Sequence, residues 1–177
     1  YMETVPMEGF SVSQEGINNA FVHAVAYMEQ TGELLAGGDY HGLWKSADGG
    51  ETWEITGDGL ENWTIYGIWP ETDLHYGPDT LWAATGDGVY KSFNGGESWL
   101  SAGLEGGQVS DVGFDPSDPD RAWAGTAASG VSYTTDGGAT WQQSSGLPFA
   151  LYPSLDLLPM GDSLRILLSY QQLGDGV

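Results

Sequence analysis

The sequence predicts an all-β fold of repeated four-stranded antiparallel units, and three observations carry that prediction. An eight-residue pattern occurs three times, as Ser46-Ala47-Asp48-Gly49-Gly50-Glu51-Thr52-Trp53, Ser92-Phe93-Asn94-Gly95-Gly96-Glu97-Ser98-Trp99 and Thr134-Thr135-Asp136-Gly137-Gly138-Ala139-Thr140-Trp141. Short segments of alternating apolar and polar residues precede each copy, as in Leu43-Trp44-Lys45, Val89-Tyr90-Lys91 and Val131-Ser132-Tyr133, which is the pattern of half-buried strands. The 28 Gly and 8 Pro are spread among these segments, as suits a protein of many tight turns rather than long helices.

Each octet reads as a hairpin turn between two strands. Asp or Asn folds its side chain back onto nearby N–H groups, the glycines supply positive φ, and Ser or Thr adds a local hydrogen bond. The Trp that closes the octet brings the apolar area that anchors the hairpin. The pattern Ser/Thr-x-Asp-x-Gly-x-Thr-Trp resembles the Asp-box, or BNR repeat, of sialidase-like, sortilin-like and xyloglucanase-like β-propellers. The resemblance implies a propeller of four-stranded blades, with the box between the third and fourth strands and away from the functional mouth. It implies a structural role for Ser46, Asp48, Gly50, Thr52 and Trp53, for Ser92, Asn94, Gly96, Ser98 and Trp99, and for Thr134, Asp136, Gly138, Thr140 and Trp141. It says little about function, because one fold hosts many activities.

Alignment on the boxes divides the chain into four blade-equivalents of one domain, residues 1–177. The first, about Asn18–Leu60, has strands at Phe21–Met28, Glu33–Gly37, Leu43–Ser46 and Thr52–Ile55. The second, Glu61–Leu104, has them near Trp63–Trp69, Thr80–Thr85, Val89–Ser92 and Ser98–Ser101. In the third, Glu105–Leu147, they lie near Val109–Phe114, Arg121–Thr126, Val131–Thr134 and Thr140–Gln143, with Asp115–Asp120 as the first hairpin turn. Each of these blades closes on Gly-Leu, at Gly59-Leu60, Gly103-Leu104 and Gly146-Leu147.

Pro148–Val177 supplies two strands of a fourth blade, near Ser154–Leu158 and Ser163–Tyr170, and Tyr1–Ile17 matches what that blade lacks. Phe10 stands where the box Trp stands: the steps Phe10 to Trp53, to Trp99 and to Trp141 are 43, 46 and 42 residues, leaving 46 for the return within 177. The expectation is a last blade completed by both termini, which would remove open sheet edges. Closure within one chain, an eight-bladed ring of two chains, a polymer and a fragment cut at a repeat boundary all fit this phase. Met2–Gly9 lacks the Asp-Gly-Gly turn, so Met2, Pro6 and Met7 belong either to a degenerate repeat or to a partner contact.

The formal charge is −21, and it comes from 4 Lys plus Arg against 25 acids. A chain so poor in bases is disfavoured for phosphate backbones and for anionic lipid, and no apolar run is long enough to span a bilayer. The expectation is a partner that is protein or glycan, not nucleic acid, and no membrane insertion. A salty or divalent-cation environment, or an exterior one where few basic cleavage sites are useful, would both suit the missing bases. The second suggests an extracellular or cell-surface setting. Without Cys the chain has no disulfide framework and no thiolate chemistry.

By the family's geometry the mouth is built from the loops Gly38–Gly42, Gly86–Gly88, Ala127–Gly130 and Gln171–Gly176 and from the links between blades. These bring Asp39, Tyr40, His41, Glu61, Asp87, Glu105 and Asp175, with Trp63, Phe149 and Tyr152 near the blade starts. Carboxylates suit a hard cation such as Ca²⁺, and aromatic faces suit sugar rings; a plain solvated rim on an acidic protein fits as well. Asp39 and His41 are the pair for a softer metal. A glycosidase needs two carboxyls roughly 5 to 9 Å apart, for which Asp39 with Asp87, or Asp87 with Asp175, are the candidates. A sialidase would need three Arg, whereas this chain has Arg121 and Arg165, both in second strands. The reading favoured is a non-catalytic binding or assembly module, with a glycoside hydrolase propeller, or part of one, as the alternative.

Overall fold

The computed structural model describes residues 21–39, 42–60, 64–71, 77, 79–115, 117–127, 129–145, 151–160 and 163–171. Three four-stranded antiparallel sheets follow one another along the chain. Blade 1 is β1 (Val22–Met28), β2 (Glu33–Gly38), β3 (Leu43–Ser46) and β4 (Glu54–Thr56); blade 2 is β5 (Ile65–Pro70), β6 (Leu81–Thr85), β7 (Gly88–Ser92) and β8 (Leu100–Ser101). Blade 3 is β9 (Val109–Asp115), β10 (Asp118–Thr126), β11 (Gly130–Thr134) and β12 (Gln142–Gln143), and a two-stranded sheet of β13 (Leu151–Met160) and β14 (Ser163–Gln171) follows.

The inner strands lie where alternation puts them, whereas the outer strands are shorter than expected: β8 and β12 keep two residues each, both exposed. In the second box Ser98 and Trp99 pair instead with Asp58 of blade 1, so pairing within blade 2 starts only after the Trp. One expectation needs correction. Asp118–Asp120 belong to β10, so the turn into that strand is tighter than a six-residue loop. Asp115 starts it by accepting hydrogen bonds from the N–H (2.9 Å) and hydroxyl (2.6 Å) of Ser117. Burial works against the charge of Asp115, but these bonds and Arg121 outweigh it and hold its carboxyl below the usual range. Completion of the last blade by Tyr1–Ile17, and the link at Gly146-Leu147, lie outside the described residues.

Three apolar layers hold the sheets face to face. Ala24, Ala26, Met28, Leu35 and Leu43 of blade 1 meet Ile65, Ile68, Leu81, Ala83, Tyr90 and Trp99 of blade 2. The other face of blade 2, with Trp82, Ala84, Val89 and Ala102, meets Val109, Val112, Ala122 and Ala124 of blade 3. Trp123 and Val131 then meet Leu155, Ile166 and Leu168 of the last sheet. Because blade 2 has a neighbour on each side, every residue of β6 and β7 is buried. Lys91 is among them, its ammonium 4.1 Å from the Trp82 ring centroid and donating to the Gly137 carbonyl (3.3 Å). Burial lowers its pKa, with Glu71 and Asp120 acting in the opposite sense.

The boxes have the bonding their spelling predicts. In the first, the Ser46 hydroxyl donates to Asp48 (2.8 Å) and accepts the Gly50 N–H (2.8 Å), while Asp48 accepts both the N–H (2.9 Å) and the hydroxyl (2.6 Å) of Thr52. Thr134, Asp136, Gly138 and Thr140 repeat this set. In the second box an amide takes the carboxylate's place: Asn94 accepts from the Ser98 N–H (3.0 Å) and donates to the Ser98 hydroxyl (2.9 Å), reversing one bond. Donation from Thr52 and Thr140 drives the Asp48 and Asp136 carboxyls down to about 2.

Gly96 and Gly138 serve a second purpose in addition to their positive φ of 84° and 91°. A Cβ on Gly96 would stand 3.1 Å from Leu35 of blade 1, and one on Gly138 would stand 3.1 Å from Trp82 of blade 2. The second and third boxes therefore lie flat on a second-strand side chain of the preceding blade. The Trp residues extend the same contact. Trp99 is 4% exposed, and Trp141 turns its indole N–H away from its own box to the Ala102 carbonyl of blade 2 (2.6 Å), where Trp53 and Trp99 bond within theirs.

Candidate functional site

The end of each blade opposite the box is where second and third strands turn. There the first residue after the second strand donates its N–H to the carbonyl just before the first strand: Asp39 to Phe21 (3.1 Å), Gly86 to Thr64 (2.9 Å) and Ala127 to Gln108 (2.9 Å). This repeated bond brings the loop and the incoming link of each of the three four-stranded blades together at one end. In blades 2 and 3 the loop is fixed by a threonine at the strand end. Thr85 donates to the Gly88 carbonyl (3.0 Å) and accepts the Asp87 N–H (3.1 Å); Thr126 does the same with Gly130 (3.0 Å) and Ser129 (3.2 Å). Blade 1 has Gly38 at this position, and its loop is longer.

Asp39, Asp87 and Glu105 are the candidate acids whose side chains are described. Asp39 meets the Nε2 of His23 at 2.9 Å and accepts from the hydroxyl of Thr64 in the next blade (3.3 Å). Asp87 accepts the Gly106 N–H in the link that enters blade 3 (2.9 Å) and the Tyr90 hydroxyl (3.4 Å). Glu105 accepts from Ser101, and that donation holds its carboxyl below the usual range. Tyr40, His41, Glu61, Trp63, Phe149 and Asp175 lie outside the described residues, and Tyr152 falls within β13.

Two residues absent from the sequence-based candidates belong to this end of the molecule. His23 is an exposed residue of β1, with Tyr66 6.1 Å away between ring centroids; its position after the start of a first strand was the available signal, but nothing in the sequence ties it to Asp39. Asp111 of β9 accepts the Leu155 N–H (2.8 Å) and the Ser154 hydroxyl (2.9 Å), joining blade 3 to β13. Ser110 adds a bond to the Pro153 carbonyl (2.8 Å). Asp39, Asp87 and Asp111 thus share one task, since each reaches forward from its blade to hold the next. Among the described residues no group of three or more His, Asp or Glu is placed to hold a metal ion.

No family model and no curated protein sequence matches the chain. Solved structures do. The GH74 xyloglucanase from Xanthomonas campestris is similar over 84% of this chain and 26% of its own, at 19% identity and a TM-score of 0.60. YCF48 from Cyanidioschyzon merolae is similar over 88% of this chain and 58% of its own, at 17% identity and a TM-score of 0.56. The extracellular domain of the putative one component system BT4673 from B. thetaiotaomicron is similar over 91% of this chain and 22% of its own, at 13% identity and a TM-score of 0.65. These are Asp-box β-propeller proteins, both enzymes and non-enzymes, and this chain spans less than two thirds of each.

Proposed function

We propose that this chain, an Asp-box β-propeller in fold, is a non-catalytic, extracytoplasmic binding and assembly module whose partner is a protein. The observation that carries this reading is the use made of the mouth acids. Asp39 and Asp87, the described pair a glycosidase would require, are both engaged by donors of the following blade. A general acid or nucleophile needs its oxygens directed at the scissile bond, whereas these two act as latches between blades. Likeness to YCF48, of which a structure bound to D1 peptide is similar over 70% of this chain at a TM-score of 0.51, supports a propeller that takes a protein ligand. The very low content of Lys and Arg supports a setting outside the cytoplasm.

The glycoside hydrolase reading is tested directly. Incubation with xyloglucan and other β-glucans is expected to release no reducing ends. Turnover that disappears in Asp87→Asn would overturn the non-catalytic assignment, and specific retention on a glucan column without turnover would replace the protein partner with a glycan. Addition of Ca²⁺ tests whether the acidic mouth takes a hard cation; a calorimetric signal lost in Asp39→Asn would place the ion there.

A further inference from the structure

The first strands share an irregularity that the box pattern does not reveal. In each of the four sheets the first strand carries one residue more than the second strand opposite it. His23 is the extra residue where Val22 pairs Gly38 and Ala24 pairs Gly37, and Tyr66 where Ile65 pairs Thr85 and Gly67 pairs Ala84. Ser110 is extra where Val109 pairs Thr126 and Asp111 pairs Gly125. In the last sheet the insertion falls at Tyr152 or Pro153, since Leu151 pairs Gln171 and Ser154 pairs Ser169. His23, Tyr66 and Ser110 each lie two residues after the carbonyl that accepts from the end of the second strand, those of Phe21, Thr64 and Gln108. A bulge of this kind interrupts alternation and re-aims the side chain it inserts.

The inserted residues meet from blade to blade, because the first strands pack on one another. The rings of His23 and Tyr66 lie 6.1 Å apart, tilted by 33°, and the Ser110 hydroxyl donates to the Pro153 carbonyl (2.8 Å). Between blades 1 and 2 the two rings stand beside Asp39, which meets Nε2 of His23 at 2.9 Å and accepts from Thr64, two residues before Tyr66. The His23 and Asp39 side chains are 39% and 34% exposed, and Tyr66 is half-buried. Phe21, whose carbonyl accepts the Asp39 N–H, is 75% exposed, and Val22 is 40% exposed. A carboxylate with two rings at its side and exposed apolar surface at its border is thus assembled across the junction of two blades, on a chain with 25 acids and 4 Lys plus Arg.

We propose that this junction binds a cationic side chain of a protein partner, an Arg or Lys next to an apolar residue. The cation takes a lone pair of Asp39 and the face of Tyr66, since a carboxylate has more acceptor sites than two bonds use and a tyrosine ring attracts a cation. With Nε2–H donated to Asp39, the neutral His23 ring offers Nδ1 as a further acceptor. The apolar neighbour covers Phe21 and Val22. An anionic group would meet both Asp39 and the field of a chain with a formal charge of −21, which opposes it and draws a cation in. This rests on the binding-module reading above and names the chemistry of its protein partner.

The test is fluorescence anisotropy of the full chain with a fluorescein-labelled peptide of repeating Gly-Leu-Arg, and with its Gly-Leu-Glu counterpart, at about 0.15 M salt to screen distant charges. The Arg peptide is expected to bind and the Glu peptide not. Tyr66→Leu, which leaves the net charge unchanged, and Phe21→Ser, at a position too exposed to support the core, should each weaken binding about three- to tenfold. Asp39→Asn should weaken it at least as much, whereas Asp48→Asn, which removes the same charge at the box end, should stay within about twofold of the wild type. Near-UV circular dichroism of the tryptophans checks folding; where Tyr66→Leu loses that signal, Phe21→Ser carries the test. Equal losses in Asp39→Asn and Asp48→Asn would show only diffuse attraction to an acidic protein and would overturn the inference. A chain that binds neither peptide, or both alike, overturns it too, as do Tyr66→Leu and Phe21→Ser variants that bind like the wild type. A chain that turns over no glucan and binds no Arg peptide keeps the binding-module reading and loses only this site, while glucan turnover removes that reading whatever the peptide does.

Discussion

Blades 1 and 2 are built from nearly the same strands and differ in what lies behind them. Ile68 and Trp99 of blade 2 are buried against blade 1, while their equivalents Val25 and Trp53 are left exposed and half-exposed. The difference is confined to the first and fourth strands: Ala36 and Trp44, on the same face of blade 1 as Val25, are 2% and 4% exposed, whereas Val25 and Ile55 are 63% and 75% exposed. A blade is half a core: it contributes one side of an apolar layer and needs the next blade for the other.

The largest break in this comparison is expected at Trp82. It is 1% exposed between blades 2 and 3, and Trp82→Ala should cost about 3–5 kcal/mol in urea unfolding. Val25→Ala, at a position 63% exposed, should stay within about 0.5 kcal/mol. An equal loss at both positions would mean that Val25 is covered after all. Next comes the pair of box tryptophans. Trp99→Ala should cost about 3 kcal/mol or more, and Trp53→Ala well under half of that, read from the same unfolding curves.

A smaller effect is expected at Asp111, whose carboxylate is satisfied by the Leu155 N–H and Ser154 hydroxyl of the last sheet. Asp111→Ala should cost about 1–3 kcal/mol and should appear as faster amide exchange in β13, with blades 1 and 2 unchanged. Exchange that rises uniformly would show the latch to be part of one cooperative unit. The smallest effect belongs to the boxes. Asp48 and Asp136 have folded pKa values of about 2 against the ordinary 3.8. Their stabilising contribution is therefore present above about pH 4 and lost as pH falls towards 2. Asp48→Asn with Asp136→Asn should flatten that acid limb, because Asn94 already performs the same task as an amide.

Much of this architecture could be read from residues. The octets located the turns, and alternation located β1, β2, β6 and β10 because their buried rows are apolar. What escaped was relational. His23 and Asp39 are 16 residues apart and Asp111 and Leu155 are 44 apart, and no local pattern marks a carboxylate that bonds to the following blade. The mouth acids looked like candidates for chemistry because sequence reveals residue type and end of blade, but not whether a lone pair is already taken. The outer strand β8 begins later than its β-propensity suggests for the same relational reason, because Ser98 and Trp99 pair with Asp58 of the preceding blade.

The substitution of Asn94 in the second box has a consequence for how this protein ages. Asn followed by Gly is the pair most prone to spontaneous deamidation, because an unhindered backbone nitrogen can attack the side-chain amide and close a succinimide ring. Here that nitrogen, on Gly95, donates to the Asp79 carbonyl at 2.9 Å, and the Asn94 amide is held by Ser92 and Ser98. Ring closure would have to break all of these bonds at once, so the folded turn protects a sequence that would be short-lived in a flexible loop. Hydrolysis to a normal Asp would merely convert this box into the chemistry of the other two. Only the isomerised, β-linked product would damage the blade, and its slow appearance in stored protein would report how often this hairpin opens.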